Sequence, residues 1–220
     1  MTFGRCPGLL RGAFIAAMAT LLVVGCAAYY QGWVDPSLFP RSPRSADAST
    51  PAPVAILGDP ALTDYKYVYD KQWDEPDLTI PAGRIIEAAA LAAMTDVLGR
   101  PVERFPDAQA AVAASRSVVR PALVVLRPVG LEVPVPGARG FQARLVLDCQ
   151  VLDADRALLW SKRYVSGGVG LSTEQLNDRD ASKNQQFVRA THAAAYAVMV
   201  QVAEDLRRWL EAERLRERLL

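Results

Sequence analysis

Apolar and polar residues alternate along one stretch in the second half of the chain, FQARLVLDCQVLDADRALLWSKRYVSG at 141–167. Every second residue from Phe141 to Val151 is apolar, and the residues between them are polar except Val146. A period of two is typical of a strand with one buried face. The tetrapeptide DADR then supplies a turn before the apolar pattern returns. The stretch therefore predicts a β-hairpin with Cys149 facing the core.

A helical period of three to four residues marks three other stretches. Residues 79–99 predict a helix with Thr79 as its cap and Gly99 as its stop. Residues 107–119 predict a shorter helix, and a long helix runs from about Asn184 to the carboxyl end. The long helix carries an apolar stripe, which consists of Phe187, Thr191, Ala194, Val198, Val202, Leu206 and Trp209.

Two further apolar runs predict strands. PVAILGDP at 53–60 suits a strand and a turn, and PALVVLRPVGLEVPV at 121–135 suits a strand that Pro128 bends or confines to an edge. The order is strand, helix, short helix, strand, hairpin and long helix. This order predicts an α+β fold, with a single small sheet, helices packed on one face and a long C-terminal helix.

The longest apolar run of the chain lies near its amino end, in AFIAAMATLLVVGCAAYY at 13–30. Its uninterrupted apolar part is about a dozen residues, whereas a helix that spans a bilayer needs roughly 20. Arg5 and Arg11 precede it and no acidic residue does, which is typical of a secretory signal. Four residues then match the bacterial lipobox recognised by signal peptidase II: Val23, Val24, Gly25 and Cys26.

The lipobox resemblance implies that residues 1–25 are a lipoprotein signal peptide and that Cys26 becomes the lipidated first residue. The alternatives are an uncleaved anchor, or an ordinary signal with an incidental cysteine. Acyl chains on Cys26 anchor a protein stably in membrane lipid. Ala27 follows, and by the sorting rule of enterobacterial lipoproteins this residue implies the periplasmic face of the outer membrane.

The remaining chain divides into a tether and a domain. The stretch DPSLFPRSPRSADASTPAP at 35–53 is rich in Pro, Ser and Ala and has no apolar period, and with it residues 26–53 are predicted to form a lipidated flexible tether. Residues 54–220 predict one periplasmic α+β domain.

Charge and cysteine content exclude some functions. The chain has 25 basic and 24 acidic residues, and removal of the signal leaves a net charge of about −1. A nucleic-acid partner is disfavoured because no basic excess is left to contact phosphates. Cys6 leaves with the signal and Cys26 carries lipid, so Cys149 has no partner for an internal disulfide.

Few residues offer chemistry. His192 is the only histidine and lies in an alanine-rich helix, so a site with several His and Cys ligands is excluded. The GGVG segment at 167–170 lacks the Lys-Ser/Thr of a phosphate loop, and no G-x-S-x-G elbow is present. The sequence predicts no catalytic residue, no metal and no cofactor.

Aromatic residues form the best candidate surface. Tyr65, Tyr67 and Tyr69 alternate, so in a strand they share one face, and Trp73 follows closely. These four residues either pack under the long helix as core or form an exposed patch that binds a protein, a glycan or a neighbouring subunit.

The lipobox, tether, alanine-rich helix, ARLVLDCQVLDADRALLWSKRYVSG hairpin and terminal helix together resemble small outer-membrane lipoproteins of Gram-negative envelopes. The groups they resemble are the LPS-assembly lipoprotein, the auxiliary lipoproteins of ABC-type transport, and the lipoproteins of curli and exopolysaccharide secretion. The resemblance implies an accessory or structural component of an envelope transport, secretion or assembly machine. It would bind envelope proteins or a second copy of itself. The alternative is an envelope hydrolase or glycan-binding lipoprotein.

Overall fold

The structure is a computed structural model that describes residues 34–35, 38–39, 54–69, 78–114, 122–133, 141–170 and 183–219. Two predictions concern residues outside the described ranges. One is the prediction for Trp73, and the other is the lipobox, which consists of Val23, Val24, Gly25 and Cys26. In the part of the chain that is described, no helix combines the length and apolarity needed to cross a bilayer.

Strands and helices are mixed in the first half of the chain, four consecutive strands follow, and the last element is a long helix. The first half contains β1 (Val54–Leu57), α1 (Pro60–Thr63), β2 (Tyr67–Tyr69), β3 (Leu78–Ile80), α2 (Ala82–Leu98), β4 (Glu103–Phe105) and α3 (Ala108–Ala114). The second half contains β5 (Ala122–Glu132), β6 (Gln142–Leu152), β7 (Leu158–Val165), β8 (Val169–Gly170) and α4 (Lys183–Leu219).

The main sheet is mixed, with strand order β4-β1-β5-β6-β7 and with β8 paired to β6. Strand β1 is parallel to both β4 and β5, whereas β5, β6 and β7 are antiparallel. The predicted hairpin is confirmed, because Cys149 lies opposite Lys162 and Val151 opposite Trp160. Strands β2 and β3 form a separate antiparallel pair.

Helices α2 and α4 cover one face of the main sheet, here called the inner face. The inner face is apolar because β-strand residues alternate, and Ile56, Val124, Leu126 and Leu147 are all fully buried on it. The apolar stripe of α4 is buried from Phe187 to Leu206, as its helical spacing predicts. The α+β fold with a long C-terminal helix is therefore confirmed.

Helix α3 packs on the opposite face of the sheet, here called the outer face. Ala108 and Ala111 contact Ala55 and Leu123, which alternate with the inner-face residues of β1 and β5. Helices thus lie on both faces at this end of the sheet, whereas the predicted packing was on one face. Among the side chains of α3 that the structure describes, two alanines make the contact, and so short a pattern does not reveal which face of the sheet a helix covers.

One local prediction is wrong, at Thr79, and the prediction for Pro128 is confirmed. Thr79 lies within β3 and not at a helix cap, and α2 begins after Pro81 with no side-chain capping bond. Pro128 lies within β5, where a register shift follows it before Gly130, so it bends the strand. Strand β1 pairs with β5 only at 122–124, so Pro128, which lacks an N–H, lies beyond that pairing.

Cys149 is fully buried on the inner face, as the strand pattern predicts. Burial raises the pKa of its thiol to about 12, because the charged thiolate is poorly solvated there. The reactive form of this unpaired cysteine is therefore suppressed at neutral pH.

Candidate functional site

The predicted tyrosine surface lies on β2 and the turn before it. Tyr65, Tyr67 and Tyr69 are each half-buried and pack against the main core, while Lys66 and Val68 are exposed between them. The alternation therefore places the three rings toward the core, as period two requires.

Specific contacts hold two of these rings. The Tyr67 hydroxyl donates a hydrogen bond of 2.8 Å to the Val133 carbonyl oxygen, and the Tyr69 ring lies 5.1 Å from the Phe187 ring of α4. Burial raises the pKa of Tyr67 above its usual value. These contacts favour the interpretation of the tyrosines as core. Partner binding by their exposed halves, and by Trp73, stays a prediction.

A second feature was not foreseen: part of the predicted tether is docked on α4. Val34, Asp35, Leu38 and Phe39 are described, and Phe39 is only 4% exposed. Its ring centroid lies 5.5 Å from that of His192 and 5.8 Å from that of Tyr196. The structure therefore differs from a free tether at these four residues, because an aromatic side chain gains free energy when it leaves water.

His192 connects this docked segment to the helix. The Asp35 backbone N–H donates to Nε2 over 3.1 Å, and Nδ1 lies 2.8 Å from the Val188 carbonyl oxygen. Since a backbone N–H can only donate and a carbonyl oxygen can only accept, the ring is neutral with its proton on Nδ1. The His192 side chain is only 1% exposed, so this histidine is part of the core.

Acidification should weaken this contact. Burial lowers the pKa of His192, while the Val188 hydrogen bond and the charge of Asp35 oppose that shift. The unfolded chain then takes up its proton near pH 6.5, before the folded chain does. The stability that the neutral ring provides is complete above that pH. As the pH falls below about 6.5, this stability is lost, by at most about 1.4 kcal/mol per pH unit.

Denaturant unfolding between about pH 7.5 and pH 5 tests this expectation, because His192 is the only histidine. The low pKa values of Asp148 and Asp205 place their titration below this window. The variant His192→Gln should lose the pH dependence. An equal slope of the free energy of unfolding against pH in the wild type and in His192→Gln would contradict the role assigned to the neutral His192 ring.

The outer face of β5–β7 lies beyond the cover of α3 and carries ordered rows of side chains. One row is apolar, with Val146 opposite Val165, and with Val129 nearby at the bulge of β5. Val129 is 49% and Val165 is 37% exposed. The next row is charged, and Arg163 makes two hydrogen bonds of 2.7 and 2.8 Å to Asp148.

The inner side of β7 is fixed to α4 by a polar cluster. The Lys162 ammonium and the Tyr164 hydroxyl donate to the same Asp205 oxygen over 2.6 and 2.9 Å. The Lys162 hydrogen bond and, less strongly, the Tyr164 hydrogen bond keep the pKa of Asp205 below its usual value. These hydrogen bonds hold β7 against α4, and the opposite, outer face of β7 stays exposed.

The described ranges contain no group of three His, Cys, Asp or Glu side chains positioned to hold a metal ion.

Comparisons with known proteins give distant likenesses only. No family model and no curated protein matches the chain. Protein XCC0632 from Xanthomonas campestris, described as DUF330, has a TM-score of 0.45 and 15% identity, and the match covers 87% of this chain and 98% of that one. Two PelC dodecamer structures from Paraburkholderia phytofirmans have TM-scores of 0.42 and 0.35, with identities of 13% and 14%. These matches cover 71% and 73% of this chain, and 91% of each PelC chain. At such low TM-scores the likeness transfers no function and leaves the family unassigned.

Proposed function

We propose that this protein is a lipid-anchored periplasmic component of an envelope transport, secretion or assembly machine and that it acts by binding proteins, not as an enzyme. The observation that carries this proposal is the contact of the docked segment with α4, where Asp35 bonds to His192 and the Phe39 ring packs against His192 and Tyr196. Cys26 precedes Val34 by eight residues, which extend at most about 28 Å. A lipid on Cys26 would therefore hold the domain close to the membrane.

The docking site also gives the domain an orientation. The segment lies on α4, which belongs to the helical layer of the inner face, whereas the apolar row lies on the outer face of the sheet. The docked segment and the outer face are thus on opposite sides of the sheet. A protein can contact Val129 and Val165 without competing with the docked segment for the same surface.

Metabolic labelling and purification of the full chain test this proposal together. Radiolabelled palmitate is expected to enter the wild type but not Cys26→Ser, and globomycin should cause precursor to accumulate. Affinity purification from detergent-solubilised membranes should recover a stoichiometric envelope complex. Val165→Lys should lose the partner, because a charge in the apolar row opposes its burial. Ser161→Lys, on the same face of β7, should retain it.

Two results would overturn the proposal. Palmitate labelling that persists in Cys26→Ser would show that Cys26 is not the lipidated residue. A lone monomer that hydrolyses glycan or peptide substrates would support the envelope hydrolase instead.

A further inference from the structure

A cavity of about 250 Å³ lies at the carboxyl ends of the parallel strands β1 and β4. From β1 the chain passes through Gly58 and Asp59 toward α2 on the inner face. From β4 it passes through Pro106 and Asp107 into α3 on the outer face. Where neighbouring parallel strands send their connections to opposite faces, a crevice opens between them, and ligands of open α/β sheets bind in such crevices. Topology therefore accounts for the position of the cavity.

The floor of the cavity is apolar. Leu57, Val125 and Leu152 line it from three strands, and Val125 is only 8% exposed. An apolar group that enters would displace water from these side chains, which is favourable in proportion to the area covered. The volume limits that group to a short aliphatic chain, since ordinary ligand pockets exceed about 300 Å³.

Charged groups form the rim. Two of these groups are the carboxylates of Asp59 and Asp107. The Asp59 carboxylate accepts a hydrogen bond of 2.9 Å from the Ala61 N–H, and the Asp107 carboxylate accepts one of 2.8 Å from the Ala110 N–H. The Arg127 guanidinium lies 3.8 Å from the second oxygen of Asp59, which is a long ion pair. Among the described residues, the Arg156 side chain has no hydrogen-bond or ion-pair partner, so its guanidinium is available to an anion at the rim.

Arg156 also has an unusual backbone. Its φ is 67°, and it is the one described residue other than glycine with a positive φ. Glycine adopts this conformation without the steric cost that a side chain brings. The turn is closed by Asp153, whose Oδ1 accepts from the N–H groups of Asp155 and Ala157 over 2.8 Å each, so the turn does not use the arginine side chain.

We propose that this cavity binds a small amphipathic anion, in which a short aliphatic group joins a carboxylate. The aliphatic group would cover Leu57, Val125 and Leu152. The carboxylate would accept hydrogen bonds from Arg156, with Arg127 beside it, and arginine binds carboxylates through two parallel N–H groups. Both a free carboxylic acid and the carboxyl terminus of a peptide with an apolar last residue have this chemistry.

The test is an NMR titration of the full ¹⁵N-labelled chain in detergent micelles with N-acetyl-leucine up to about 10 mM, because small ligands of this kind bind in the millimolar range. The backbone amides of Gly58, Asp107 and Arg156 should shift and saturate. The neutral analogue N-acetyl-leucinamide should bind at least about tenfold more weakly, since a hydrogen bond to a charged group is lost. N-acetyl-Gly-Gly-Leu distinguishes the two sources, because tighter binding of this peptide indicates a chain terminus and equal binding a free acid.

The informative variant is Arg156→Gly, which removes the guanidinium and suits the positive φ. It should melt at or above the wild-type temperature and bind N-acetyl-leucine at least about tenfold more weakly. Arg127→Gln should weaken binding less and provides a second measurement should Arg156→Gly fail to fold. Arg144→Gln, toward the other end of β6, is the matched control and should leave affinity unchanged. Absence of saturable shifts in the wild type, equal binding of the amide, or full affinity in both cavity variants would overturn the proposal.

Discussion

Replacement of Gly83 with alanine should lower the free energy of unfolding by about 4 kcal/mol, a large part of the stability of an ordinary domain. A Cβ at this position would lie 1.6 Å from the Leu62 carbonyl oxygen and 3.3 Å from the Tyr65 Cβ. The Gly83 N–H also donates to the Tyr65 carbonyl oxygen over 2.8 Å. Because the close contact is with backbone, no rotamer change relieves it, and α1 has to move away from α2.

Urea unfolding of the purified full chain measures this loss, with other glycines as matched controls. Gly130→Ala should change stability by less than about 0.5 kcal/mol, since its Cβ would meet nothing within 4 Å. Gly99→Ala should cost about 1 kcal/mol, because Gly99 ends α2 with a φ of 65°. Unfolding of Gly83→Ala at the same urea concentration as Gly130→Ala would contradict the close approach of the Leu62 backbone in α1 to Gly83 in α2.

Phe39→Ala should destabilise the protein by about 3 kcal/mol, at the low end for truncation of a buried phenylalanine. Its ring is almost completely buried between His192 and Tyr196, so the variant leaves a cavity or releases the segment. Val68→Ala is the control, because Val68 is 55% exposed and should contribute less than about 0.5 kcal/mol.

Limited proteolysis provides an independent measurement for the same pair of variants. Release of the docked segment should accelerate cleavage around Asp35 in Phe39→Ala but not in Val68→Ala, because the Asp35 N–H then loses its bond to His192. Equal unfolding and equal cleavage in the two variants would mean that these residues behave as a free tether.

The sequence predicted best the elements whose periodic pattern is long. The hairpin repeats its period of two over eleven residues of β6, and the stripe of α4 repeats over more than five turns, so chance agreement with another period is small. Cys149 could be placed in the core because its neighbours on both sides follow the same alternation.

Features that depend on distant partners could not be predicted. Four residues of the docked segment are too few to show a period, and Phe39 is buried only because α4 supplies its surroundings. A phenylalanine within a Pro- and Ser-rich stretch was the one available signal. The cavity combines side chains of β1, β5, β6 and the hairpin turn, and DADR was interpreted only as a turn because sequence does not show what Arg156 faces.

The contact between Asp35 and His192 also constrains the order in which the protein folds. It joins residues 157 positions apart, so it forms only after a very long loop has closed. Until α4 is available, the inner face of the sheet lacks the helix that buries Leu126 and Leu147, and the unfinished chain exposes an aggregation-prone surface. The docked segment can therefore dock only after α4 has formed, and a chain truncated before α4 leaves both Phe39 and the inner face of the sheet without the helix that covers them.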